Sequence, residues 1–332
     1  MTAAVRVALV TEAGAGVGLG HLRRCQALAS ALEECGAVPR FVIAGGAERS
    51  GGRTPFSVSA LDWRREPARA LELVRGWQAD AVVVDSYAAT TEFFVQLRAA
   101  APWVVAIDDL ADRELPVSLV VNGGFSAPAL AYRTAADTVL LLGPAYALLD
   151  PAFAADPPRR PHAGVERVLV TFGGDAAREV LEAALAAVRA LAPQARVDVA
   201  VGPYSTELTT AEGGVTVHQG LASLRPVMLA ADAAVTGGGT TLYQCLATAT
   251  PTVGVCLADN QRPNIEGLSR AGLILRGDPA IAPALERLLG DAALRESMAV
   301  RGRTLVDGRG AARVAQEIVR AVTAVAADGC RR

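Results

Sequence analysis

The chain has 332 residues, 52% of them hydrophobic, with a formal net charge of −2 at pH 7. That length exceeds one ordinary core and suits two Rossmann-sized units, while the near-neutral charge gives no global attraction to nucleic acid or to an anionic membrane. All 32 cationic side chains are arginine, which excludes Schiff-base chemistry and a Walker-type lysine, and no apolar run reaches the roughly 18 residues of a membrane-spanning helix, so no stable membrane insertion is expected.

Short apolar strands alternate with amphipathic helices along the chain. Met1 to Val10 carries no basic leader and reads as a first strand over Val5 to Val10. A helix starts near His21, placing Leu22, Cys25, Leu28, Ala29 and Leu32 on one face, and stops at Gly36. Further strands are predicted at Arg40 to Ile43, Ala81 to Val84, Trp103 to Ile107, Leu119 to Val121 and Val139 to Leu142. Most are continuous apolar runs, as expected of a sheet covered on both faces. The Pro- and Arg-rich stretch from Asp150 to Gly164 reads as a linker. Alternation restarts with strands at Val168 to Thr171, Val197 to Val201, Val215 to His218, Ala233 to Val235 and Thr252 to Val255. The expected organisation is an N-terminal Rossmann-like domain over residues 1–155 and a C-terminal one over 165–332. The last helix, about Ala311 to Ala326, is expected to pack back on the first domain. Two such halves would face a cleft with the C-terminal ends of their sheets.

Chemistry in open α/β sheets collects at those strand ends. After the first strand comes a Gly-rich turn ending in Gly18-Leu19-Gly20-His21, where backbone N–H groups and a helix N-terminus suit an anion. No acidic residue ends the second strand, which argues against a nicotinamide or flavin cofactor; no cofactor is expected. His21 at a strand-to-helix turn is a candidate proton acceptor rather than a simple helix-terminal residue. Later strand ends carry Asp85-Ser86-Tyr87, Asp108-Asp109-Leu110-Ala111-Asp112-Arg113 and Asn122. Asp108 and Asp109 are adjacent in extended backbone and point to opposite faces, so they do not chelate one ion, and no metal site is expected. Asp109 and Asp112 read as turn and cap residues. In the second half Phe172-Gly173-Gly174-Asp175 follows one strand, and Gly237-Gly238-Gly239-Thr240-Thr241 opens a helix after another. Successive glycines with two hydroxyls form a nest able to bind a diphosphate without lysine or metal. Leu257-Ala258-Asp259-Asn260-Gln261 adds side-chain amides at a third strand end. The five cysteines (Cys25, Cys35, Cys245, Cys256, Cys330) are odd in number and widely spaced, without a Cys-x-x-Cys pair. They support neither a disulfide framework nor a zinc site and fit a reducing cytoplasm.

Taken in order, Gly18-x-Gly20-His21-x-x-Arg24-Cys25, Asp85-x-Tyr87, Asp108 to Arg113, Asn122, and Leu142-Gly143-Pro144-x-Tyr146-x-Leu148-Leu149 match one pattern. So do Phe172 to Asp175, Gly237 to Thr241, Ala258-x-Asn260-Gln261 and Val306-Asp307-Gly308-Arg309-Gly310. Together they resemble the UDP-2,4-diacetamido-2,4,6-trideoxy-β-L-altropyranose hydrolase family of pseudaminic acid biosynthesis, to which spore-coat polysaccharide proteins look similar. The resemblance implies an α/β GT-B fold like that of MurG and metal-independent hydrolysis of a UDP-sugar. Water would attack the anomeric carbon with inversion and UDP would leave. It implies His21 as general base, with Tyr87 and Asn122 in the sugar and water pocket. Gly18, Gly20, Arg24, Asp85, Gly173 and Gly174 would bind substrate, and Gly237 to Thr241 with Asn260 and Gln261 would hold diphosphate and sugar. Two positions depart from the pattern: Glu12 stands where the family often has an Asp, and Gln244 stands where many GT-B relatives carry a ribose-gripping Glu, leaving a weaker neutral bond.

An inverting glycosyltransferase would use the same fold and donor, with a small-molecule or natural-product hydroxyl in place of water. A nucleotide-sugar-binding module without chemistry is the third reading, against which the retained His21 stands. The expected partner is a small-molecule nucleotide sugar. The oligomeric state is not legible in the sequence.

Overall fold

The computed structural model describes residues 4–14, 16–45, 54–155, 164–173, 178–203 and 214–329. The chain divides into two compact units, Met1–Pro151 with Arg309–Arg332, and Ala152–Gly308.

In the first unit the strands are β1 (Arg6–Glu12), β2 (Val38–Ala44), β3 (Ser57–Ala60), β4 (Ala81–Asp85), β5 (Trp103–Ile107), β6 (Glu114–Leu115), β7 (Leu119–Asn122), β8 (Arg133–Thr134) and β9 (Val139–Leu142). Seven of them form a sheet in the order β3-β2-β1-β4-β5-β7-β9 with parallel pairing throughout, and β6 pairs with β8 apart from it. Helices α1 (Gly20–Glu34), α2 (Pro67–Gly76) and α3 (Thr91–Arg98) make the β1–β2, β3–β4 and β4–β5 crossovers.

Strand period fixes which side chain meets which helix. Val7 and Leu9 of β1, Ala81 and Val83 of β4, Val105 and Ile107 of β5, and Leu119 and Val121 of β7 share a cluster with Leu22, Cys25, Leu28 and Leu32 of α1. Their alternates, Ala8, Val10, Val82, Val84, Val104, Ala106 and Val120, pack with Val74 of α2 and Phe93, Phe94 and Leu97 of α3. Both faces are apolar, which is why these strands read as unbroken hydrophobic runs. The mostly exposed edge strand β3 and the two-residue strands β6 and β8 carry no such run, and the sequence does not announce them.

The second unit repeats the plan with β10 (Arg167–Thr171), β11 (Arg196–Val201), β12 (Val215–Gln219), β13 (Ala233–Gly237), β14 (Thr252–Val255) and β15 (Leu275–Arg276). The order is β12-β11-β10-β13-β14-β15, again parallel. Its helices are α4 (Arg178–Leu191), α5 (Arg225–Ala230), α6 (Thr240–Ala247), α7 (Arg262–Arg270), α8 (Ile281–Gly290) and α9 (Ala292–Leu305). The stretch read as a linker starts at Asp150 and Pro151, the end of the first unit's N-terminal segment, and enters this unit at Ala152. Pro151–Ala154 form a 3-10 turn with Phe153 buried, and Arg303 donates to the carbonyls of Phe153 (2.9 Å) and Ala154 (3.2 Å). Residues 156–163 lie outside the described ones.

The last helix, α10 (Gly310–Gly329), belongs to the first unit. Ala311, Val314, Ala315, Ile318 and Val322, at helical spacing, join the α1 face of the first sheet. Among the described residues no helix is long and apolar enough to cross a membrane.

Candidate active site

The turn after β1 is closed on itself. Gly14 and Gly18 exchange backbone hydrogen bonds, Gly18 N–H to Gly14 C=O at 2.8 Å and the reverse at 3.3 Å. Gly16 and Gly18 sit at φ +82 and +76, the left-handed region that glycine enters without strain. The Gly18 N–H is therefore engaged within the loop, which corrects its reading as an anion donor: the turn shapes the entry to α1. Gly20 is the first residue of α1, and no side chain caps that end.

One turn of α1 presents His21 and Arg24 on the face that packs the sheet. Asp85 ends β4 in step with Ala81 and Val83, so its carboxylate rises on the same face. It is wholly buried and accepts three hydrogen bonds. Arg24 Nε donates to Oδ2 at 3.0 Å and Nη2 to Oδ1 at 2.7 Å, a two-pronged pairing. His21 Nδ1 lies 2.6 Å from Oδ1. A carboxylate only accepts, so the imidazole proton sits on Nδ1 and the Nε2 lone pair is left free of the pair. Arg24 Nη2 also lies 3.1 Å from Nδ1, but a nitrogen carrying its own proton does not accept, and the guanidinium is directed to Asp85.

Arg24 Nη1 reaches Asp109 Oδ2 at 2.6 Å, and the Tyr87 hydroxyl donates to the same oxygen at 2.8 Å. The Tyr87 ring meets His21 edge-on, centroids 4.7 Å apart. Burial opposes the charge on Arg24, yet Asp109 and Asp85 outweigh it and raise its pKa well above the ordinary guanidinium value. Burial likewise works against the Asp109 carboxylate, and Arg24 overcomes it and holds Asp109 below the usual range. Burial, and then Asp109, push the Tyr87 phenol upward, so it stays protonated and donates.

Asp109 is the residue that sequence reasoning misassigned. The turn is capped by Asp108, whose Oδ1 accepts from the N–H groups of Leu110 (3.0 Å) and Ala111 (2.7 Å), with Arg113 on Oδ2 at 3.0 Å. Counting in twos from Val105 puts Asp109 on the α1 side and Asp108 on the other, a signal available in the sequence. The same count separates Asn122 from His21. Asn122 follows Val120, on the α2–α3 face, where Nδ2 donates to the Tyr132 hydroxyl (2.9 Å) and Oδ1 accepts from Gly124 N–H (2.8 Å). The structure thus joins His21, Arg24, Asp85 and Tyr87 in one network and leaves Asn122 in a neighbouring one. Glu12, out of step with Thr11, is buried with Arg64 (2.9 Å) and the Ser86 hydroxyl.

In the second unit, Gly237 and Gly238 are dictated by packing. A Cβ on Gly237 would lie 2.7 Å from Leu257 Cδ1, and one on Gly238 2.6 Å from Ile265 Cδ1. Gln261 Oε1 accepts from both Gly238 N–H and Leu257 N–H, each at 3.1 Å. That corrects two sequence readings: the Gly238 donor is engaged, and the Gln261 amide oxygen clamps the turn. The donors left at the start of α6 are the N–H groups of Gly239, Thr240 and Thr241, with no side-chain cap. Gln244, on the next turn of α6, is partly buried, and Asn260 lies in the short turn before α7. Gly173 has φ +84 at the end of β10; Gly174 lies outside the described residues. Among the described residues, no three His, Cys, Asp or Glu side chains are grouped to hold a metal ion.

No family model matches the chain, and no curated protein sequence does. Solved structures do. The glycosyltransferase of kitacinnamycin is similar over 96% of this chain and 99% of its own, with TM-score 0.67 and 17% identity. MurG of Acinetobacter baumannii is similar over 95% and 99%, with TM-score 0.66 and 15% identity. SnogD, a glycosyltransferase from Streptomyces nogalater, is similar over 96% and 100%, with TM-score 0.62 and 18% identity. The fold is the GT-B fold, α/β with two Rossmann-like units.

Proposed function

From the GT-B fold and the buried pair at the end of its first sheet, we propose that this chain catalyses inverting glycosyl transfer from a nucleoside-diphosphate sugar to an acceptor hydroxyl. The observation that carries the reading is the 2.6 Å contact between His21 Nδ1 and the fully buried Asp85. It fixes the tautomer and leaves Nε2 as a base. In the reaction Nε2 takes the acceptor proton and the acceptor oxygen bonds the anomeric carbon. The bond from that carbon to the diphosphate breaks, and the nucleoside diphosphate leaves with the electron pair. Asp85 stabilises the imidazolium so formed. The N–H groups of Gly239, Thr240 and Thr241 at the start of α6 receive the diphosphate, where the helix dipole favours negative charge. Gln244 contributes a neutral contact to the nucleotide.

Hydrolysis of the same donor is the second reading. It is favoured by Gly18-x-Gly20-His21 and the ordered motifs that resemble the UDP-sugar hydrolase family of pseudaminic acid biosynthesis. In that case water is the nucleophile and every other step is unchanged.

A panel of nucleoside-diphosphate sugars in oxygen-labelled water, with and without acceptor extracts, tests both. Nucleotide release that requires an acceptor supports transfer. Prompt release without one, with label in the sugar, supports hydrolysis. Binding without turnover under either condition refutes an enzyme. His21→Ala is expected to lower turnover by about 10²–10⁴-fold while leaving nucleoside-diphosphate binding nearly intact; unaffected turnover removes His21 from the mechanism.

A further inference from the structure

The network around His21 holds more charge than orientation requires. Asp85 alone would fix the imidazole, yet Arg24 binds Asp85 through two nitrogens and turns its third, Nη1, to a second carboxylate. With Asp85 and Asp109 as carboxylates, Arg24 as guanidinium and His21 neutral, the network carries one negative charge in excess. Side-chain exposures of 0% for Asp85, 8% for His21, 14% for Arg24 and 23% for Asp109 leave little solvent to screen it.

We propose that Asp109 is a positioning residue that acts through Arg24, matching in advance the positive charge His21 gains when it takes the acceptor proton and keeping Arg24 from neutralising Asp85 alone. Without Asp109 the network is neutral at rest and positive when His21 is protonated, a state that a buried site disfavours. With it, proton uptake ends in a neutral cluster. The other elements packed on α1 bring no competing charge on the faces described above: β1 presents Thr11, β2 packs Phe41 and Ile43, and α10 packs Ala311, Val314, Ala315, Ile318 and Val322. Among the described residues, the titratable groups against the network are the Tyr87 and Tyr132 phenols and the buried Cys25 thiol, all pushed upward and so neutral; burial dominates each shift. Arg23, next on α1, interacts with Asp150. The proposal rests on His21 as base.

The test is Asp109→Asn, near-isosteric at a partly exposed position, with Asp109→Glu as the charge-keeping control. Ring-proton NMR follows the 3 histidines of the intact chain through pH, with the His21 signal identified by its loss in His21→Gln. Asp109→Asn is expected to lower the His21 titration midpoint by about 0.5–1 pH unit, and Asp109→Glu to leave it near the native position. An unchanged or raised midpoint in Asp109→Asn overturns the proposal. In turnover, the acidic limb of kcat/KM should move down by the same amount, with kcat reduced about 3–10-fold and donor KM little changed. A midpoint that falls while the acidic limb stays put leaves the charge coupling of Asp109 to His21 standing but refutes His21 as the base, and with it the part Asp109 is given in the reaction.

Discussion

Replacing Asp85 by asparagine removes a charge and little volume from the centre of the network. The carboxylate accepts two bonds from Arg24 and one from His21, between 2.6 and 3.0 Å. Asparagine offers one accepting oxygen, and its amide N–H groups face donors. Deleting one partner of a buried ion pair costs about 3–5 kcal/mol. Here Arg24 keeps Asp109, and the asparagine oxygen keeps one bond, which brings the expected loss to about 2–3 kcal/mol. All 3 tryptophans (Trp63, Trp77 and Trp103) lie in the first unit, so tryptophan fluorescence during urea unfolding reads that unit without the other. A second readout needs no substrate: nitrogen chemical shifts of His21 report which ring nitrogen carries the proton, and the native Nδ1–H preference should weaken. With substrate, turnover should fall by about 10²–10⁴-fold. A fluorescence transition within about 0.5 kcal/mol of native, together with an unaltered tautomer, would refute the reasoning.

Gly238→Ala places a methyl 2.6 Å from Ile265 Cδ1 and 3.0 Å from Gln261 Cβ, forcing both away. Overpacking of this kind costs about 1–3 kcal/mol, and calorimetry should show weaker nucleoside-diphosphate binding as the Gln261 clamp loosens. Gly239→Ala is the contrast: φ is −83 and the nearest atom to its added Cβ is 4.0 Å away, so urea stability should stay near native. Alkylation at pH 8 followed by mass spectrometry should label Cys256 and Cys35 well before Cys25 and Cys245. Both slow cysteines are fully buried, and burial pushes the Cys245 thiol up to about 12, so almost no thiolate is present. Equal labelling of Cys245 would count against the described packing.

Much of the fold was written in local pattern. Continuous apolar runs gave a parallel, doubly covered sheet, and the strands at Trp103–Ile107 and Val139–Leu142 end where the runs end. Edge strand β3 escaped because an exposed edge needs no apolar run. The glycines were visible too, but their reasons were not. Gly18 serves a closed turn, and Gly237 and Gly238 make room for Leu257 and Ile265, which are distant in sequence.

The sequence by itself determined the alternation of elements, the position of His21 at a strand-to-helix turn, and, through the period of two, the opposite faces of Asp108 and Asp109. Only the tertiary structure decided the pairings: His21 with Asp85 across 64 residues, Arg24 with Asp109 across 85, and Gln261 with Gly238 across 23. Periodicity is a property of neighbouring residues and survives without a fold. A hydrogen bond between remote strand ends depends on strand order, and strand order is settled when helices bury both faces of the sheet and bring β4 beside β1 and β5 beside β4.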